Sequence, residues 1–237
     1  MADFLLIHGS CHGAWCWRDV IPALKALGHN ARAIDMPSHG DDPTPLEQVT
    51  LAGCRDAILA ASTPETIVVG HSWGGYPISA AGEAAPEKMR ALIYLCAYVP
   101  ISGLSMIDMR KRAKRQPLMP AVRRAEDGLS YTFDPDSLRE LFYHDCPEET
   151  VAYAMPRLCP QATRPQTTPL SLTARYQTLP KAYIRCANDQ AIPPEYQAEM
   201  VQDWPRDRVF SLPTSHSPFF AAPSALAALL DQIAATF

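Results

Sequence analysis

Short apolar segments alternate along the chain with longer segments whose apolar positions recur at helical spacing. The apolar segments predict six strands: DFLLIHG (3–9), ARAIDMP (31–37), TIVVGHS (66–72), RALIYLCAYVP (90–100), KAYIRCAND (181–189) and DRVFSLPTSH (207–216). Helical spacing predicts helices over 14–28, 50–62, 74–85, 194–204 and 224–237. Continuous apolar strands that alternate with helices are typical of a mostly parallel sheet with helices on both faces. The pattern therefore predicts the α/β class.

Local signals mark the ends of three of these helices. Gly28 follows the first helical segment, at a position where glycine commonly ends a helix. Thr50 and Ser224 precede two others, and their hydroxyls are predicted to cap free backbone N–H groups.

Residues 102–180 interrupt this alternation. The segment is rich in proline, charge and aromatic residues, and its pattern predicts kinked helices. An insertion between two strands of a parallel sheet lies naturally over their carboxyl ends, where open α/β sheets bind ligands. We therefore predict a core made of 1–101 and 181–237, with 102–180 as a helical cap.

Composition and charge exclude several classes of function. The chain has 237 residues, 47% of them hydrophobic, and a formal net charge of -4. This composition suits a globular domain and gives no support for nucleic-acid binding. No basic leader or membrane-length apolar run is present, so no membrane association is predicted. A homodimer is left open.

The cysteines indicate a reducing compartment. Seven are scattered along the chain without a Cys-x-x-Cys pair. An odd number in a chain of this length argues against a disulfide framework, and no zinc-type spacing occurs. We expect a reduced, soluble, cytoplasmic protein without a bound metal.

The stretch GHSWG carries the first chemical signal. It matches Gly-x-Ser-x-Gly, and it lies between a predicted strand and a predicted helix. A nucleophile elbow requires this strand–turn–helix context, with small residues around a strained turn that raises the serine above the sheet. An ordinary glycine turn is the alternative. The context favours Ser72 as a nucleophile.

A serine nucleophile needs a base and an acid, which follow it in the order Ser, acid, His in this architecture. His144 and His216 are the histidines after Ser72, and His216 follows the last predicted strand. Asp189 follows the preceding strand, with Asp108 as the alternative acid. We predict Ser72, Asp189 and His216 as the catalytic triad.

Two backbone N–H groups are predicted to form an oxyanion hole. One belongs to Trp73, directly after the nucleophile, and the other to Ser10, in the loop after the first strand. Gly9 and Gly13 in that loop allow the backbone to approach a ligand closely. The substrate is therefore expected to contact Gly9, Ser10 and Trp73.

The same loop contains His8 and His12, which raise the question of a metal site. No carboxylate or third histidine has ligand spacing with them. We interpret both as hydrogen-bonding residues that brace the loop.

Taken together, these residues resemble the α/β-hydrolase superfamily, and most closely its branch of plant methylesterases, hydroxynitrile lyases and small bacterial carboxylesterases, including pyrethroid-hydrolase-like enzymes. The resemblance covers nearly the whole chain and rests on HGSCHGAWCW, DMPSHG, GHSWGG, FYHDCP, CANDQAIPPEYQ and SHSPFF, in family order. It implies an α/β-hydrolase fold and hydrolysis of a small carboxylic ester through an acyl-enzyme. It implies no cofactor.

Three positions distinguish the lyases from the esterases of this branch. The lyases are expected to carry threonine at Gly9, glutamate at His71 and lysine at Ser217, where the lysine stabilises departing cyanide. All three positions resemble an esterase here, and Ser217 is expected to border the substrate. The rival functions are a hydroxynitrile lyase and a non-catalytic ligand receptor. Trp73 and Ser10 depart from the plant methylesterases in size and polarity, which leaves the acyl group open.

The run MRKRAKRQ, residues 109–116, is strongly basic. It is expected to form a solvated helical face of the cap, with attraction of an acidic substrate or partner as the alternative.

Overall fold

The computed structural model describes residues 1–237. The strands are β1 (Asp3–Ile7), β2 (Asn30–Ile34), β3 (Thr66–His71), β4 (Ala91–Leu95), β5 (Val122–Arg124), β6 (Ser130–Phe133), β7 (Gln161–Ala162), β8 (Lys181–Cys186) and β9 (Val209–Leu212). Six of them form one sheet in the order β2-β1-β3-β4-β8-β9. Every neighbouring pair in this sheet is parallel, as the sequence pattern predicts.

Eleven α-helices accompany these strands. They are α1 (Val20–Ala26), α2 (Leu51–Ala61), α3 (Gly75–Ala84), α4 (Met106–Arg112), α5 (Pro135–Phe142), α6 (Glu148–Ala154), α7 (Arg164–Thr167), α8 (Ala174–Gln177), α9 (Pro194–Met200), α10 (Pro218–Ala221) and α11 (Pro223–Ala234). None of them combines the length and the hydrophobicity that crossing a membrane requires.

The central strands are buried on both faces, which explains their continuous apolar sequences. Successive side chains of a strand point to opposite faces. Phe4 and Leu6 of β1 therefore belong to the hydrophobic cluster that contains α1 and α11, while Leu5 and Ile7 belong to the cluster that contains α2, α3 and α9. The two hydrophobic clusters form the core on either side of the sheet.

The helix ends differ from the prediction in two places. The first helical segment is a 3₁₀ turn, Ala14–Trp17, followed by the shorter helix α1. Thr50 caps α2 as predicted, because its Oγ1 accepts from the N–H of Gly53 at 2.9 Å. The predicted cap at Ser224 is wrong: α11 already begins at Pro223, whose fixed φ suits the first helical position.

The chain between β4 and β8 contains more than helices. It includes α4 to α8, and it also forms a three-stranded antiparallel sheet, β5-β6-β7. The purely helical interpretation of this segment is therefore incomplete. Strands of two to four residues are too short to show a period in the sequence. The limits 102 and 180 stay a prediction.

The strand register brings the loops of the site together. Along β1 and β3 the paired residues run from Asp3–Thr66 to Ile7–Gly70, so both strands end at the same level. The loop at Gly9 and Ser10 consequently lies beside the turn at Ser72. This is the edge of a parallel sheet at which ligands bind.

Candidate active site

Ser72 occupies a sharp turn between β3 and α3. Its φ is +55°, a left-handed conformation that side chains seldom adopt outside functional turns. The turn is tight because a Cβ on Gly70 would lie 2.7 Å from the carbonyl oxygen of Gly74. A Cβ on Gly74 would lie 2.9 Å from the carbonyl oxygen of His8. The glycines of GHSWG are thus required by close backbone contacts, as a nucleophile elbow demands.

Three buried side chains form a hydrogen-bonded chain at this edge of the sheet. The Ser72 hydroxyl lies 3.0 Å from His216 Nε2. His216 Nδ1 lies 2.7 Å from Asp189 Oδ2. Asp189 follows β8 and His216 follows β9, so parallel strands deliver both residues to the same edge. The structure therefore brings the three predicted triad residues together.

Asp189 accepts hydrogen bonds at both carboxylate oxygens. Oδ1 accepts from the N–H groups of Ala191 and Ile192 at 2.7 and 2.9 Å. Oδ2 accepts from Gln197 Nε2 at 2.8 Å as well as from His216. These donors stabilise the charged carboxylate in a buried place and fix its orientation.

Gln197 was not among the residues predicted for the site. This fully buried side chain on α9 also donates to the carbonyl of Ile192 at 2.8 Å and accepts from the N–H of Cys186 at 3.0 Å. It therefore ties α9 to β8 around the carboxylate. The sequence shows a polar residue in a helix, but nothing in it indicates that this residue points inward.

The alternative acid and base lie elsewhere. Asp108 belongs to the capping box of α4, where its carboxylate accepts from the N–H of Ser105 at 3.1 Å. His144 is partly exposed, and its Nδ1 lies 3.0 Å from the carbonyl of Glu140. Neither residue contacts Ser72 or His216.

The two predicted oxyanion-hole donors are free. Neither the N–H of Ser10 nor that of Trp73 has an acceptor within the protein, although both residues line the cavity above Ser72. Unpaired backbone N–H groups away from water are rare in folded proteins. The Ser10 hydroxyl accepts from Gln166 Nε2 at 2.9 Å and lies 3.2 Å from the Tyr131 hydroxyl. Two residues of the segment between β4 and β8 that the sequence did not indicate thus hold this loop.

A narrow cavity of about 30 Å³ lies above Ser72. Ser10, Ser72, Trp73 and His216 line it. Its apolar wall comes mainly from the segment between β4 and β8, namely from Met106, Leu118, Val122, Phe133 and Phe142.

Two predicted substrate contacts are not part of the cavity lining. Gly9 packs against His71, and a Cβ there would lie 2.7 Å from His71 Nδ1. Ser217 is fully buried, because the chain turns into α10 immediately after His216. Its carbonyl accepts from the N–H groups of Phe220 and Ala221. The expectation that Ser217 borders the substrate is therefore not supported by the geometry.

His71 supports the loop that carries His216. Its Nε2 donates to the carbonyl of His216 at 2.8 Å, and the two imidazole rings lie 4.7 Å apart. Burial, together with the positive charge that His216 can carry, holds the pKa of His71 well below its usual value. His71 therefore stays neutral when His216 takes up a proton.

His8 and His12 brace the first loop. His8 lies 2.8 Å from the carbonyl of Gly9 and accepts from the N–H of Met36 at 3.0 Å. His12 bridges the carbonyl of Ser10 and the Tyr143 hydroxyl at 2.8 and 2.6 Å. Burial lowers the pKa of His12 from 6.5 to about 4. Both residues occupy the bracing positions that the sequence analysis predicts.

The low pKa of His12 predicts that acid destabilises the fold. The unfolded chain takes up this proton near pH 6.5, whereas the folded chain takes it up only near pH 4. Between these values the unfolded state holds more protons, so the free energy of unfolding falls as the pH falls. His12 alone contributes a loss of roughly 1.4 kcal/mol per pH unit in this window. Urea unfolding at a series of pH values measures the slope.

A pair of variants isolates this contribution. His12→Gln should reduce the slope by roughly 1.4 kcal/mol per pH unit between pH 6.5 and 4. His144→Gln, at a partly exposed histidine, is the control for the loss of a histidine side chain. Only the slopes are compared, since His12→Gln also loses hydrogen bonds and is expected to be less stable at every pH. Equal slopes in both variants would contradict the prediction.

Comparison with known proteins agrees with this fold and site. A family model described as the alpha/beta hydrolase family matches residues 4–229. The chain belongs to this family, which confirms both the predicted fold class and the resemblance.

Two plant methylesterases and a bacterial hydrolase match almost the entire chain. Methylesterase 7 of Arabidopsis thaliana is 32% identical over 248 residues, covering 98% of this chain and 95% of that protein. Methylesterase 1 of the same plant is 31% identical over 257 residues, covering 99% and 96%. The crystal structure of a pyrethroid hydrolase from Sphingobium faniae JZ-2 has a TM-score of 0.87 at 29% identity, covering 99% and 97%. These names point to the branch that the motifs indicate.

Proposed function

We propose that the protein is a serine carboxylesterase that cleaves a small carboxylic ester through an acyl-enzyme. The observation that carries the proposal is the hydrogen-bonded chain from Ser72 through His216 to Asp189, beneath a cavity with two free N–H groups. The names of the methylesterases and of the pyrethroid hydrolase support ester hydrolysis.

Acylation begins at Ser72. Its Oγ attacks the ester carbonyl carbon while His216 Nε2 accepts the hydroxyl proton. The carbonyl oxygen gains negative charge, and the N–H groups of Ser10 and Trp73 stabilise it, each contributing roughly 3 kcal/mol. Asp189 holds the imidazole in the tautomer with Nδ1 protonated and stabilises its charged form. The carbon–oxygen bond to the alcohol then breaks, and His216 returns its proton to the departing alkoxide.

Deacylation repeats these steps with water. His216 takes a proton from a water molecule, whose oxygen attacks the acyl carbon. The bond to Ser72 Oγ breaks, the serine regains its proton, and the carboxylic acid leaves. Ser72, His216, Asp189, the two N–H groups and water are sufficient for the whole cycle.

A hydroxynitrile lyase fits the structure less well. The lyases of this branch are expected to carry threonine at Gly9. No Cβ fits there, because it would lie 2.7 Å from His71 Nδ1. Ser217, where the lyases are expected to carry lysine, is uncharged and lies outside the cavity. The relatives reported above are named as esterases or as a hydrolase.

Turnover of p-nitrophenyl acetate tests the proposed function. We expect hydrolysis that a serine-directed phosphonate abolishes, with one phosphonate attached to Ser72 in a peptide mass spectrum. A receptor would bind esters without turnover, and a lyase would cleave a cyanohydrin in preference to the ester. Modification of any other serine would remove Ser72 from the mechanism.

Trp73 is predicted to limit the size of the acyl group. Its indole is 1% exposed, stacks on His39 with the ring centroids 5.9 Å apart, and belongs to a residue that lines the cavity. Trp73→Leu keeps the backbone N–H and vacates volume beside the carbonyl. The ratio of kcat/KM for a branched-acyl over an acetyl p-nitrophenyl ester should rise by roughly ten- to two-hundredfold.

Trp204→Leu is the matched control for this measurement. Trp204 packs against Tyr94 and Tyr183 and does not line the cavity above Ser72. Its replacement should leave the ratio of the two esters unchanged. If Trp73→Leu lowered activity on both esters equally, the indole would serve only for packing.

A further inference from the structure

One permanent charge lies in the cavity above Ser72. Arg110 is the only arginine or lysine among its 14 lining residues, and no aspartate or glutamate lines the cavity. The surrounding wall is largely apolar. A charge in such surroundings is costly unless a group of opposite charge meets it.

Arg110 has no such group within the protein. The residue is half-buried, its Nε is buried without a hydrogen bond, and its guanidinium takes part in no ion pair. Seven other arginines are paired with a carboxylate, as Arg115 is with Glu195 at 2.7 Å. Arg185 also has a buried Nε without a partner, but it does not line this cavity. Asp189, the buried carboxylate of the site, already accepts from four donors. An unpaired buried donor of this kind calls for an explanation.

Helical geometry explains why this arginine differs from its neighbours in the basic run. Residues four apart share one face of a helix, so Arg110 on α4 lies on the face of Met106, which also lines the cavity. Lys111 and Arg112 lie on other faces and are exposed. The expectation of a solvated basic face is therefore wrong for Arg110 alone.

A second donor in the cavity lacks a partner. Tyr98 lines the cavity and is 5% exposed, and its hydroxyl makes no hydrogen bond within the protein. Burial is the main cause that raises the pKa of Tyr98, and the positive charge of Arg110 acts against that rise. Burial also raises the pKa of Tyr131, and the positive charge of Arg110 again acts against that rise. The positive charge of Arg110 thus acts on the hydroxyl groups of both tyrosines.

We propose that Arg110 and Tyr98 bind a carboxylate on the substrate, so that the preferred substrates are half-esters of dicarboxylic acids. The guanidinium presents paired N–H donors that match the two oxygens of a carboxylate, and the phenol can add a third hydrogen bond. This inference rests on the proposed esterase function. It adds the chemical class of the substrate to that function.

The direct test compares two methyl esters of the same shape. One is a monomethyl dicarboxylate such as monomethyl adipate, and the other replaces its free carboxylate by an isopropyl group. The wild-type protein should show the higher kcat/KM for the anionic ester. Arg110→Met, which keeps the length of the side chain, should lower the ratio of anionic to neutral kcat/KM by roughly ten- to a hundredfold.

Three further variants separate recognition of charge from packing. Arg110→Lys should restore part of the ratio, since it retains the charge but not the paired donors. Tyr98→Phe should lower the ratio by a smaller factor, because a neutral donor is lost. Arg112→Met, on the same helix but exposed, should leave the ratio at the wild-type value. Thermal unfolding of each variant identifies any that fails to fold.

Binding to Ser72→Ala keeps the inference independent of catalysis. Calorimetric titration with monomethyl adipate should give a Kd that rises by roughly ten- to a hundredfold when Arg110→Met is added. Absence of turnover with p-nitrophenyl acetate would count against the proposed esterase function, while this difference in Kd would still support the carboxylate site. A wild-type preference for the neutral ester, or equal ratios in wild type and Arg110→Met, would overturn the carboxylate site.

Discussion

Ser72→Ala is expected to lower kcat for ester hydrolysis by roughly 10⁶-fold, the scale observed when a serine hydrolase loses its nucleophile. The substitution removes the oxygen that lies 3.0 Å from His216 Nε2 and leaves the backbone of the elbow in place. The remaining groups cannot form the acyl-enzyme. Hydrolysis of p-nitrophenyl acetate, measured at high protein concentration, gives the residual rate.

Ser79→Ala is the control for this variant. Ser79 is a fully buried serine of α3 whose hydroxyl lies 2.6 Å from the Tyr94 hydroxyl, remote from the hydrogen-bonded chain at Ser72. We expect a loss of stability of about 1 kcal/mol with kcat close to the wild-type value. A Ser72→Ala protein that kept more than a few per cent of the wild-type kcat would exclude Ser72 as the nucleophile.

Asp189→Asn is expected to lower kcat by about 10⁴-fold, because the amide imposes the wrong histidine tautomer. Asparagine replaces one carboxylate oxygen by an NH₂ group. If that group replaced Oδ1, it would oppose the two N–H groups of Ala191 and Ile192. If it replaces Oδ2, it opposes only Gln197 and donates to His216 Nδ1. The second orientation leaves fewer donors unpaired, and it places the imidazole proton on Nε2, which then cannot accept from Ser72.

Asp108→Asn provides the matched comparison. Asp108 lies in the capping box of α4, so its amide should cost a small amount of helix stability and leave kcat close to that of the wild type. Parallel measurements of kcat and of urea unfolding on the two variants separate catalysis from folding. Loss of activity in the Asp108 variant alone would contradict the assignment of Asp189 as the acid of the triad.

The predicted core elements follow from signals that are local in the sequence. The continuous apolar strands indicate burial on both faces, and the sheet is indeed parallel and covered by helices. The turn at Ser72 was predictable because its glycines and its strand–helix context lie within a few residues of it. Asp189 and His216 were predictable because each follows a strand, and the carboxyl ends of parallel strands meet at one edge.

Other features depend on contacts between residues that are distant in the sequence. Gln197 is an ordinary helical glutamine until α9 packs on β8 and turns it toward Asp189. The short strands between β4 and β8 exist because they pair with one another, and two to four residues show no period. No pattern in the sequence marks either feature.

At the cavity, Arg110 and Ser217 show the same difference between what the local sequence predicts and what depends on tertiary contacts. By itself, the sequence determined the strands of the central sheet, the elbow and the order of serine, acid and histidine, because neighbouring residues encode local conformation. Only the tertiary structure decided which side of α4 faces the cavity and thus which member of the basic run lines it. It also placed Ser217 in the core, one residue after His216, because α10 begins there. The direction in which a side chain points depends on how whole elements pack, and that packing is set by contacts across the entire chain.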